Sequence, residues 1–253
     1  MNYRDYVEGI RFRFFGPNAR PDDSRLIKIL GKLGISIGRF HWILIKCKVP
    51  MEIANTILPS SPTPGQRRVR QLCAIPKMST YTIGALINYG ISKMQPDTCF
   101  VNVGVWNGFT FLSGIVENAG ASCIAIDNFS EFGGPREAFL KRFEKYRSPN
   151  HVFYEMDYRA YFEKHHKQPI GFYIYDGEHS YENQLEGLRV AEPFLAKGCI
   201  ILVDDTAWED PRRATLDFIK QSNNSYEMLL DAPTCCANHP TYWNGIMIFQ
   251  KTT

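Results

Sequence analysis

The sequence has no long uninterrupted run of apolar residues. A helix that crosses a membrane needs about 18–20 such residues. In this 253-residue chain the best candidate, residues 42–47, is short and contains Lys46. The amino terminus, Met1 to Asp5, also lacks the charged-then-apolar order of a signal peptide. These two absences predict a cytoplasmic protein without a transmembrane segment.

Cysteine motifs are missing too. The chain has seven cysteines, and no two of them are spaced as Cys-x-x-Cys. Cys99, Cys123 and Cys199 lie within apolar runs, where a free thiol packs as a small hydrophobic group. Cys235 and Cys236 have no second pair of ligands to support a metal or redox site. We therefore expect structural, reduced thiols.

Two functional classes are disfavoured by further absences. The dinucleotide fingerprint Gly-x-Gly-x-x-Gly is not found at the turn of residues 104–108, which argues against an NAD-dependent oxidoreductase. Residues 81–253 carry fifteen Lys/Arg and twenty-one Asp/Glu. Nucleic-acid binding depends on a basic surface, so a nucleic-acid substrate does not fit this acidic part of the chain.

Positive charge is concentrated at the other end of the chain. Residues 1–80 carry fourteen Lys/Arg and five Asp/Glu. One interpretation is a solvated helical surface that packs against the chain's own acidic domain. The other is attraction to an anionic substrate, partner or membrane surface. Because the basic residues are scattered rather than clustered, the first interpretation is favoured.

Sequence patterns divide the chain into an extension and a domain. Residues 24–47 place Leu and Ile at helical spacing among Lys and Arg, which predicts one or two amphipathic helices. Residues 59–65 are rich in Pro, Ser and Gly and read as a linker. With 44% hydrophobic and 22% charged residues, the composition is that of a well-packed globular protein. We expect a basic, partly helical extension over 1–77 and a catalytic domain over 78–253.

From Tyr81 onward, apolar strand-like runs alternate with amphipathic runs. The predicted strands are 99–103, 122–126, 151–155, 170–175, 199–203, 226–230 and 245–249. The predicted helices are 83–94, 109–118, 136–146, 181–195 and 212–221. Alternation of this kind predicts an α/β fold: a Rossmann-like, doubly wound, mostly parallel seven-stranded sheet with an antiparallel C-terminal strand. Ligands of such sheets bind at the carboxyl ends of the strands, so the residues there are the functional candidates.

Glycines and acidic residues follow the first three strands. Gly104 and Gly108 permit close approach of a ligand to the backbone, although a plain strand–helix turn has the same pattern. Asp127 comes about twenty residues after this turn, the usual position of an acid that binds a ribose. Phe129 offers an apolar face either to an adenine or to the core. Asp157 either accepts a hydrogen bond from an adenine amino group or caps the next helix.

Three carboxylates follow the fourth and fifth strands. Asp176 ends one strand, and Asp204 and Asp205 end the next, so adjacent strands would bring them to one edge of the sheet. Crowded carboxylates repel one another unless a cation binds or some of them are protonated. Oxygen ligands suit Mg²⁺, Mn²⁺ or Ca²⁺ and do not suit a structural zinc site. The alternative is that one of these residues caps the following helix.

Taken together, these segments resemble class I S-adenosylmethionine (SAM)-dependent methyltransferases. More narrowly, they resemble the metal-dependent sugar O-methyltransferases of macrocin and novobiocin type, the rhamnosyl O-methyltransferases and the cephalosporin hydroxylase-like proteins. The resemblance spans about residues 78–250 and is carried by residues 100–108, 125–129, 175–181 and 198–205. Its most specific part is Asp-Gly-x-His-x-Tyr at 176–181, followed by the Asp204-Asp205 pair.

The resemblance implies a role for each matching residue. Gly104 and Gly108 would line the methionine part of SAM, and Asp176 would lie near its amino group. Ser79 or Thr80 would meet its carboxylate. The residues expected at the cofactor are Ser79, Thr80, Asn102, Gly104, Asn107, Gly108, Asp127, Asn128, Phe129, Asp157, Tyr158 and Asp176. Asp176, Asp204 and Asp205 would hold Mg²⁺ or Mn²⁺.

One position departs from the family pattern. Asn102 stands where these families usually have Glu, and its amide can accept a hydrogen bond but carries no charge. Two functions stay open for this reason. The first is Mg²⁺-assisted O-methylation of a sugar or a glycosylated small molecule. The second is a SAM-binding protein that is non-catalytic or metal-independent and acts as a partner in a glycan or natural-product pathway.

Methyl transfer to a hydroxyl also requires a base, and His179 and Glu178 are the candidates. The acceptor pocket is expected in the loops 130–135, 206–212 and 232–244 together with the basic extension. Trp208, Trp243, Tyr242 and His239 are placed there either to stack on a sugar ring or to pack internally. The sequence is compatible with a homo-oligomer and does not indicate one.

Overall fold

Seven strands form one sheet in the computed structural model, which describes residues 1–19 and 24–253. The order of the strands across the sheet is β3-β2-β1-β4-β5-β7-β6. The strands are β1 (Cys99–Val103), β2 (Ser122–Asp127), β3 (His151–Glu155), β4 (Ile170–Tyr175), β5 (Leu195–Val203), β6 (Tyr226–Ala232) and β7 (Ile246–Lys251). The helices are α1 (Tyr3–Glu8), α2 (Arg25–Lys32), α3 (Ile37–Lys46), α4 (Met51–Asn55), α5 (Pro64–Leu72), α6 (Tyr81–Ser92), α7 (Phe109–Ile115), α8 (Arg136–Tyr146), α9 (Tyr158–Lys164), α10 (Tyr181–Ala191) and α11 (Glu209–Gln221).

The predicted α/β fold is confirmed. The strands β1 to β5 pair in parallel, and β7 pairs antiparallel with both β5 and β6. Every residue of β1 and of β4 is buried, as expected of parallel strands that are covered by helices on both faces. Phe100 and Phe172 lie in the core on one face, whereas Val101 and Tyr173 lie in the core on the other. This alternation is the period of two that a strand imposes.

Two predicted helices end three or four residues earlier than the pattern predicts. The helix predicted over 181–195 stops at Ala191, because Pro193 has no N–H group to continue it, and a single 3₁₀ turn follows. The strand β5 therefore begins at Leu195 rather than at Cys199. The helix predicted over 109–118 stops at Ile115, where the side-chain amide of Asn118 donates to the Gly114 carbonyl at 2.8 Å.

Part of the predicted linker is helical. Pro64 is the first residue of α5, a position where its missing N–H costs nothing. Thr63 and Gln66 close a reciprocal capping box around that helix start. In α5, Val69 and Leu72 then pack into the core that covers one face of the sheet.

Residues 24–47 form two helices, α2 and α3, in agreement with the amphipathic pattern. Ile27 of α2 and Ile37 of α3 pack with Phe15 and Met51 in a small core of their own. Within the parts of the chain that are described, no helix is long and apolar enough to cross a membrane.

A buried carboxylate, that of Glu52, joins the extension to the domain. The Lys77 Nζ atom lies 2.9 Å from Glu52 Oε1, and both side chains are 4% exposed. The other carboxylate oxygen of Glu52 accepts a hydrogen bond from the backbone N–H of Tyr81, the first residue of α6, at 2.8 Å. Lys77 also donates to the Cys73 carbonyl at 2.9 Å and lies 5.4 Å from the ring centre of Phe109. One carboxylate thus links α4, the segment before α6 and α6 itself.

We expect Lys77→Met to lower the free energy of unfolding by about 3–5 kcal/mol, because it leaves the Glu52 charge buried and unpaired. The double variant Glu52→Gln/Lys77→Met should recover much of this loss, and urea unfolding measures both. Arg68→Met is the matched control, because it breaks an exposed pair with Glu117 and should cost less than about 1 kcal/mol. Equal losses for the buried and the exposed variant would contradict the role assigned to the Lys77–Glu52 pair.

Candidate active site

The register of the sheet brings four strand ends into one row. Val103 of β1 is paired with Ile126 of β2 and with Tyr175 of β4, and Tyr175 is paired with Val203 of β5. The next residue of each strand or turn is therefore at the same edge of the sheet. A cavity of about 550 Å³ opens there, within the usual size range of small-molecule sites.

Residues from every predicted loop and from the extension line this cavity. The described wall includes Trp42, Lys77, Met78, Ser79, Gly104, Trp106, Asp127, Asn128, Phe129, Phe132, Asp157, Tyr158, Asp176, Glu178, His179, Asp204, Asp205, Trp208, Trp243 and Asn244. The wall does not include Thr80, Asn102, Asn107 or Gly108. The first set contains most of the residues predicted at the cofactor and all three predicted metal ligands.

Asp127 holds the glycine turn in place. One of its carboxylate oxygens accepts the backbone N–H groups of Val105 and Trp106, at 2.7 and 2.9 Å. The other oxygen accepts the N–H of Phe129 at 2.7 Å. A carboxylate oxygen has more than one acceptor site, so these bonds leave capacity for a ligand hydroxyl. Asp127 consequently shapes the cavity wall as well as facing it.

Gly104 is required by its surroundings. Its φ is +76°, a conformation that other residues rarely adopt, and a Cβ atom there would lie 1.8 Å from the carbonyl oxygen of Asp176. Its neighbour along the turn, Asn107, points away from the cavity and accepts two hydrogen bonds from Arg142. Gly108 begins α7 at a φ of +94°, next to the ring of Phe139. These two residues shape the turn from behind the cavity wall.

The two residues predicted at the start of α6 have different environments. Thr80 caps this helix, and its hydroxyl donates to the Thr241 carbonyl. The Ser79 hydroxyl is buried without a hydrogen-bond partner and lies in the cavity wall. Asn102 is fully buried behind the turn, where its amide donates to the carbonyls of Val103 and Gly104 and its Oδ1 atom has no partner. Of these three residues, only Ser79 borders the cavity.

The opposite wall combines packing and cavity-lining residues. Asp157 caps α9 by accepting the N–H of Arg159 at 2.9 Å, which is the capping role weighed from the sequence. The ring centre of Phe129 lies 5.8 Å from that of Phe139, and Phe129 is also part of the cavity wall. Tyr158 is largely buried, and its hydroxyl has no hydrogen-bond partner. This wall is aromatic, with a carboxylate at its rim.

The carboxylates after β4 and β5 form a cluster with His179. Potential ligand atoms of Asp176, His179 and Asp204 all lie within 4.8 Å of one another. The Nε2 atom of His179 is 3.5 Å from Asp205 Oδ2 and 3.9 Å from Asp176 Oδ1. His179 is also in edge contact with the Trp208 ring, with ring centres 6.0 Å apart. The two oxygen donors and one nitrogen with this spacing are suited to a divalent cation, and Asp205 lies beside them in contact with His179.

The negative charges of the three carboxylates in this cluster repel one another. Burial, together with the nearby carboxylates of Asp204 and Asp205, raises the pKa of Asp176 well above its usual range. Burial and Asp204 raise the pKa of Asp205 to about 7, against the opposing effects of His179 and Asn244. One oxygen of Asp204 is buried without a hydrogen-bond partner. A bound cation would relieve both the repulsion and the missing partner.

The structure also separates the two candidates for the base. Glu178 is exposed, and its carboxylate accepts a hydrogen bond from the Asn183 side chain at 2.7 Å. The side chain of His179 is 17% exposed and lies within the acidic cluster, and its Nδ1 atom is buried without a partner. Proximity to the cluster therefore favours His179.

Tryptophan contributes more side chains to the cavity wall than the sequence predicts. The chain has four tryptophans, and all of them line the cavity. Trp208 and Trp243 were candidates for stacking, whereas Trp42 of the extension and Trp106 of the glycine turn were not considered for it. Trp42 and Trp243 lie with ring centres 6.2 Å apart. The other two loop candidates, Tyr242 and His239, are buried and outside the cavity wall.

Comparisons with known proteins agree with this geometry. Residues 101–206, which run from β1 past the Asp204-Asp205 pair, match a family described as a methyltransferase domain. No curated protein sequence matches the chain.

Solved structures share the fold at low sequence identity. An O-methyltransferase from Bacillus cereus in complex with S-adenosylhomocysteine (SAH) is 15% identical. It superposes with a TM-score of 0.53 over 76% of this chain and 93% of that chain. The O-methyltransferase TomG from Streptomyces achromogenes, involved in tomaymycin synthesis and solved with SAM, is 10% identical. Its TM-score is 0.52 over 76% of this chain and 92% of that one. The fold and the family match together support a SAM-dependent methyltransferase.

Gly104→Ala should destabilise the protein severely and abolish SAH binding, because the new methyl group collides with the Asp176 carbonyl at a strained backbone angle. Thermal unfolding and calorimetry with SAH measure the two effects. Gly120→Ala is the matched control, since a Cβ atom there meets nothing within 4 Å. If Gly104→Ala bound SAH as the wild-type protein does, the close packing of the turn on Asp176 would have no role in the site.

Proposed function

We propose that the protein is a SAM-dependent O-methyltransferase that uses a divalent cation, Mg²⁺ or Mn²⁺, and methylates a hydroxyl of a sugar or a glycosylated small molecule. The observation that carries the proposal is the group of Asp176, His179 and Asp204 in the cavity wall, with Asp205 3.5 Å from His179. A site for methyl transfer alone does not require crowded carboxylates. A site that orients a hydroxyl through a hard cation such as Mg²⁺ uses carboxylates as ligands.

The residues around the cavity fit SAM. The carboxylate of Asp127 has acceptor capacity left for ribose hydroxyls, and Phe129 and Tyr158 offer aromatic surface for an adenine. Ser79 supplies a buried hydroxyl without a partner, which suits the carboxylate of the methionine part. Asp157, at the rim, is within the wall that would face the adenine amino group. When bound, SAM would supply an electrophilic methyl carbon, to which an acceptor oxygen can bond as the carbon–sulfur bond breaks and SAH leaves.

We assign the cation to Asp176, Asp204 and Asp205. Their carboxylates are the hard oxygen donors that Mg²⁺ and Mn²⁺ prefer, and their mutual repulsion is an energetic reason to bind a cation. A cation held there would supply the positive charge that lowers the pKa of a sugar hydroxyl, and the three carboxylates would fix its position relative to the cavity. The orientation of the acceptor is the main task of such a site, since methyl transfer needs an in-line approach.

The proposed base is His179. Imidazole is the side chain that most often serves as a general base, and that of His179 lies beside the carboxylates that would hold the cation. Its position 3.5 Å from Asp205 would allow that carboxylate to stabilise the imidazolium once the proton is taken. Glu178, held by Asn183 at the surface, is less well placed for this role.

A carbohydrate acceptor is supported by the tryptophans of the cavity. Trp208 lies against His179, and Trp42 and Trp243 lie near each other. Flat aromatic side chains with a polar N–H edge provide an apolar face and a hydrogen-bond donor for ligands of mixed polarity. A sugar ring has this mixed character, with C–H groups on its faces and hydroxyls at its edge.

Calorimetry tests the cofactor site. The wild-type protein should bind SAH, and Asp127→Asn should weaken binding by about 10- to 100-fold, because a charged acceptor for the ribose and for the turn is lost. Asp97→Asn, at an exposed turn on the opposite side of β1, should leave SAH affinity unchanged. A wild-type protein that shows no binding of SAM or SAH would refute the proposed function.

One pair of variants distinguishes the role of a metal ligand from the role of the base. Asp204→Asn should lose Mn²⁺ binding, measured by electron paramagnetic resonance, and should lose methyl transfer to a glycoside panel. His179→Ala should keep Mn²⁺ binding and lower kcat by about 10²- to 10⁴-fold. Loss of Mn²⁺ binding in His179→Ala would make this residue a ligand instead of the base. Full turnover in EDTA would contradict the metal assignment.

The same Asp204→Asn variant predicts an effect on stability. Without divalent cations, removal of one of the crowded charges should raise the free energy of unfolding by about 1 kcal/mol, or roughly 2–4 °C in Tm for a chain of this size. Asp210→Asn, at an exposed position in the first turn of α11, is the control and should not raise Tm. A lower Tm for Asp204→Asn in EDTA would show that the cluster is not strained.

A further inference from the structure

The helices α2 and α3 of the extension each have an outward side that no described residue covers. The inward sides are accounted for, because Ile27 and Ile37 pack into the small core with Phe15 and Met51. The outward sides combine large apolar residues with Lys and Arg. Soluble proteins rarely expose contiguous apolar side chains of this size unless the surface binds something.

In α2 the exposed apolar residues form a stripe. Leu26, Ile29 and Leu33 are 41%, 55% and 66% exposed, and they follow one another at spacings of three and four residues. Residues at these spacings lie on one side of a helix. The basic residues Arg25 and Lys32 are exposed on the neighbouring side. The side of α2 that faces away from the protein therefore combines an apolar stripe with basic residues.

In α3 the exposed side has the same composition. Trp42 and Ile43 are exposed and lie between Arg39 and Lys46, one turn before and one turn after. The ammonium group of Lys46 lies 5.5 Å from the ring centre of Trp42. Just beyond the helix, Lys48 and Val49 extend the pattern.

The charge of this surface has one sign. From Ser24 to Val49 the sequence has six Lys/Arg and no Asp/Glu. Elsewhere in the extension, basic residues do pair with the acidic domain, as Arg4 does with Glu227 and Arg68 with Glu117. Among the residues that the structure describes, none forms an ion pair with Arg25, Lys32, Arg39, Lys46 or Lys48. The partner that complements this surface must itself be anionic.

We propose that the exposed sides of α2 and α3 bind the surface of an anionic lipid bilayer. Helices with an apolar stripe flanked by Lys and Arg lie in the membrane interface, where the apolar side chains enter the acyl boundary and the cations meet lipid phosphates. A second copy of the chain would bring two strongly basic faces together. A nucleic acid would satisfy the cations and leave the aliphatic stripe of Leu26, Ile29 and Leu33 without a partner.

This surface adjoins the cavity. Trp42 belongs both to the exposed side of α3 and to the cavity wall. Docking through α3 would thus bring the lipid surface up to the wall of the active-site cavity. The proposal itself does not depend on the reaction, since it concerns binding of the whole protein to a bilayer.

Sedimentation with lipid vesicles tests the proposal on the full chain. The protein should bind vesicles of equal parts phosphatidylglycerol and phosphatidylcholine, should bind phosphatidylcholine vesicles far more weakly, and should be released by high salt. Lys32→Glu/Arg39→Glu/Lys46→Glu should weaken binding by about 100-fold or more, since each basic residue near an anionic surface contributes about fivefold. Leu26→Ser/Ile29→Ser/Leu33→Ser should weaken it at unchanged net charge by about tenfold or more.

The matched control is Lys141→Glu/Lys167→Glu/Lys220→Glu, which makes the same change in net charge at exposed positions outside the extension. It should retain vesicle binding, and all variants should unfold near the wild-type Tm because the changed side chains are exposed. Equal loss in the control, or equal binding to both kinds of vesicle, would overturn the proposal. So would an absence of vesicle binding combined with dimerisation that the serine variant abolishes, or with binding of a labelled RNA.

Discussion

The site depends on the shared register of four parallel strands. Because Ile126, Val103, Tyr175 and Val203 lie in one row, the residues that follow them are forced to the same edge of the sheet. A shift of any strand by one residue would turn its side chains to the opposite face. The register is protected by burial, since β1 and β4 are covered on both faces. The same burial that stabilises the sheet therefore places the carboxylates together.

Repulsion between the carboxylates opposes this placement, and the turns that carry them hold it fixed. Asp205 adopts a φ of +53°, unusual for a residue with a side chain, and its neighbour Ala207 donates its N–H to Asn244 at 2.8 Å. Asp127 offsets the strain of the glycine turn by accepting three backbone N–H groups. Strain and repulsion of this kind persist where the surrounding structure determines them, and they concentrate at functional sites. The cation proposed for the cluster would offset the repulsion between the carboxylates.

The sequence pattern predicts most strands and helices of the domain but not the directions of some side chains. The observed bounds of β1, β3 and β4 match the predicted ones. For β1 and β4 the reason is that a buried strand between turns leaves a clear apolar pattern. The strand-end carboxylates followed from topology alone. The orientation of Asn107 toward Arg142 depends on a helix 35 residues further along the chain, and no local pattern reports it. The place of Trp42 in the cavity wall depends on how the extension packs, which periodicity does not determine.

The extension is consequently part of the site. Its buried ion pair, Lys77 with Glu52, positions the segment that contributes Met78 and Ser79 to the cavity wall. Its helix α3 contributes Trp42 to the same wall. The basic charge first read as scattered over residues 1–80 separates in three dimensions into two groups. Arg4 and Arg68 pair with acidic residues of the domain, whereas Arg25, Lys32, Arg39 and Lys46 lie near exposed leucine, isoleucine and tryptophan. Solvation alone does not explain why those apolar side chains are exposed. An anionic lipid surface would bind the basic and the apolar side chains at the same time.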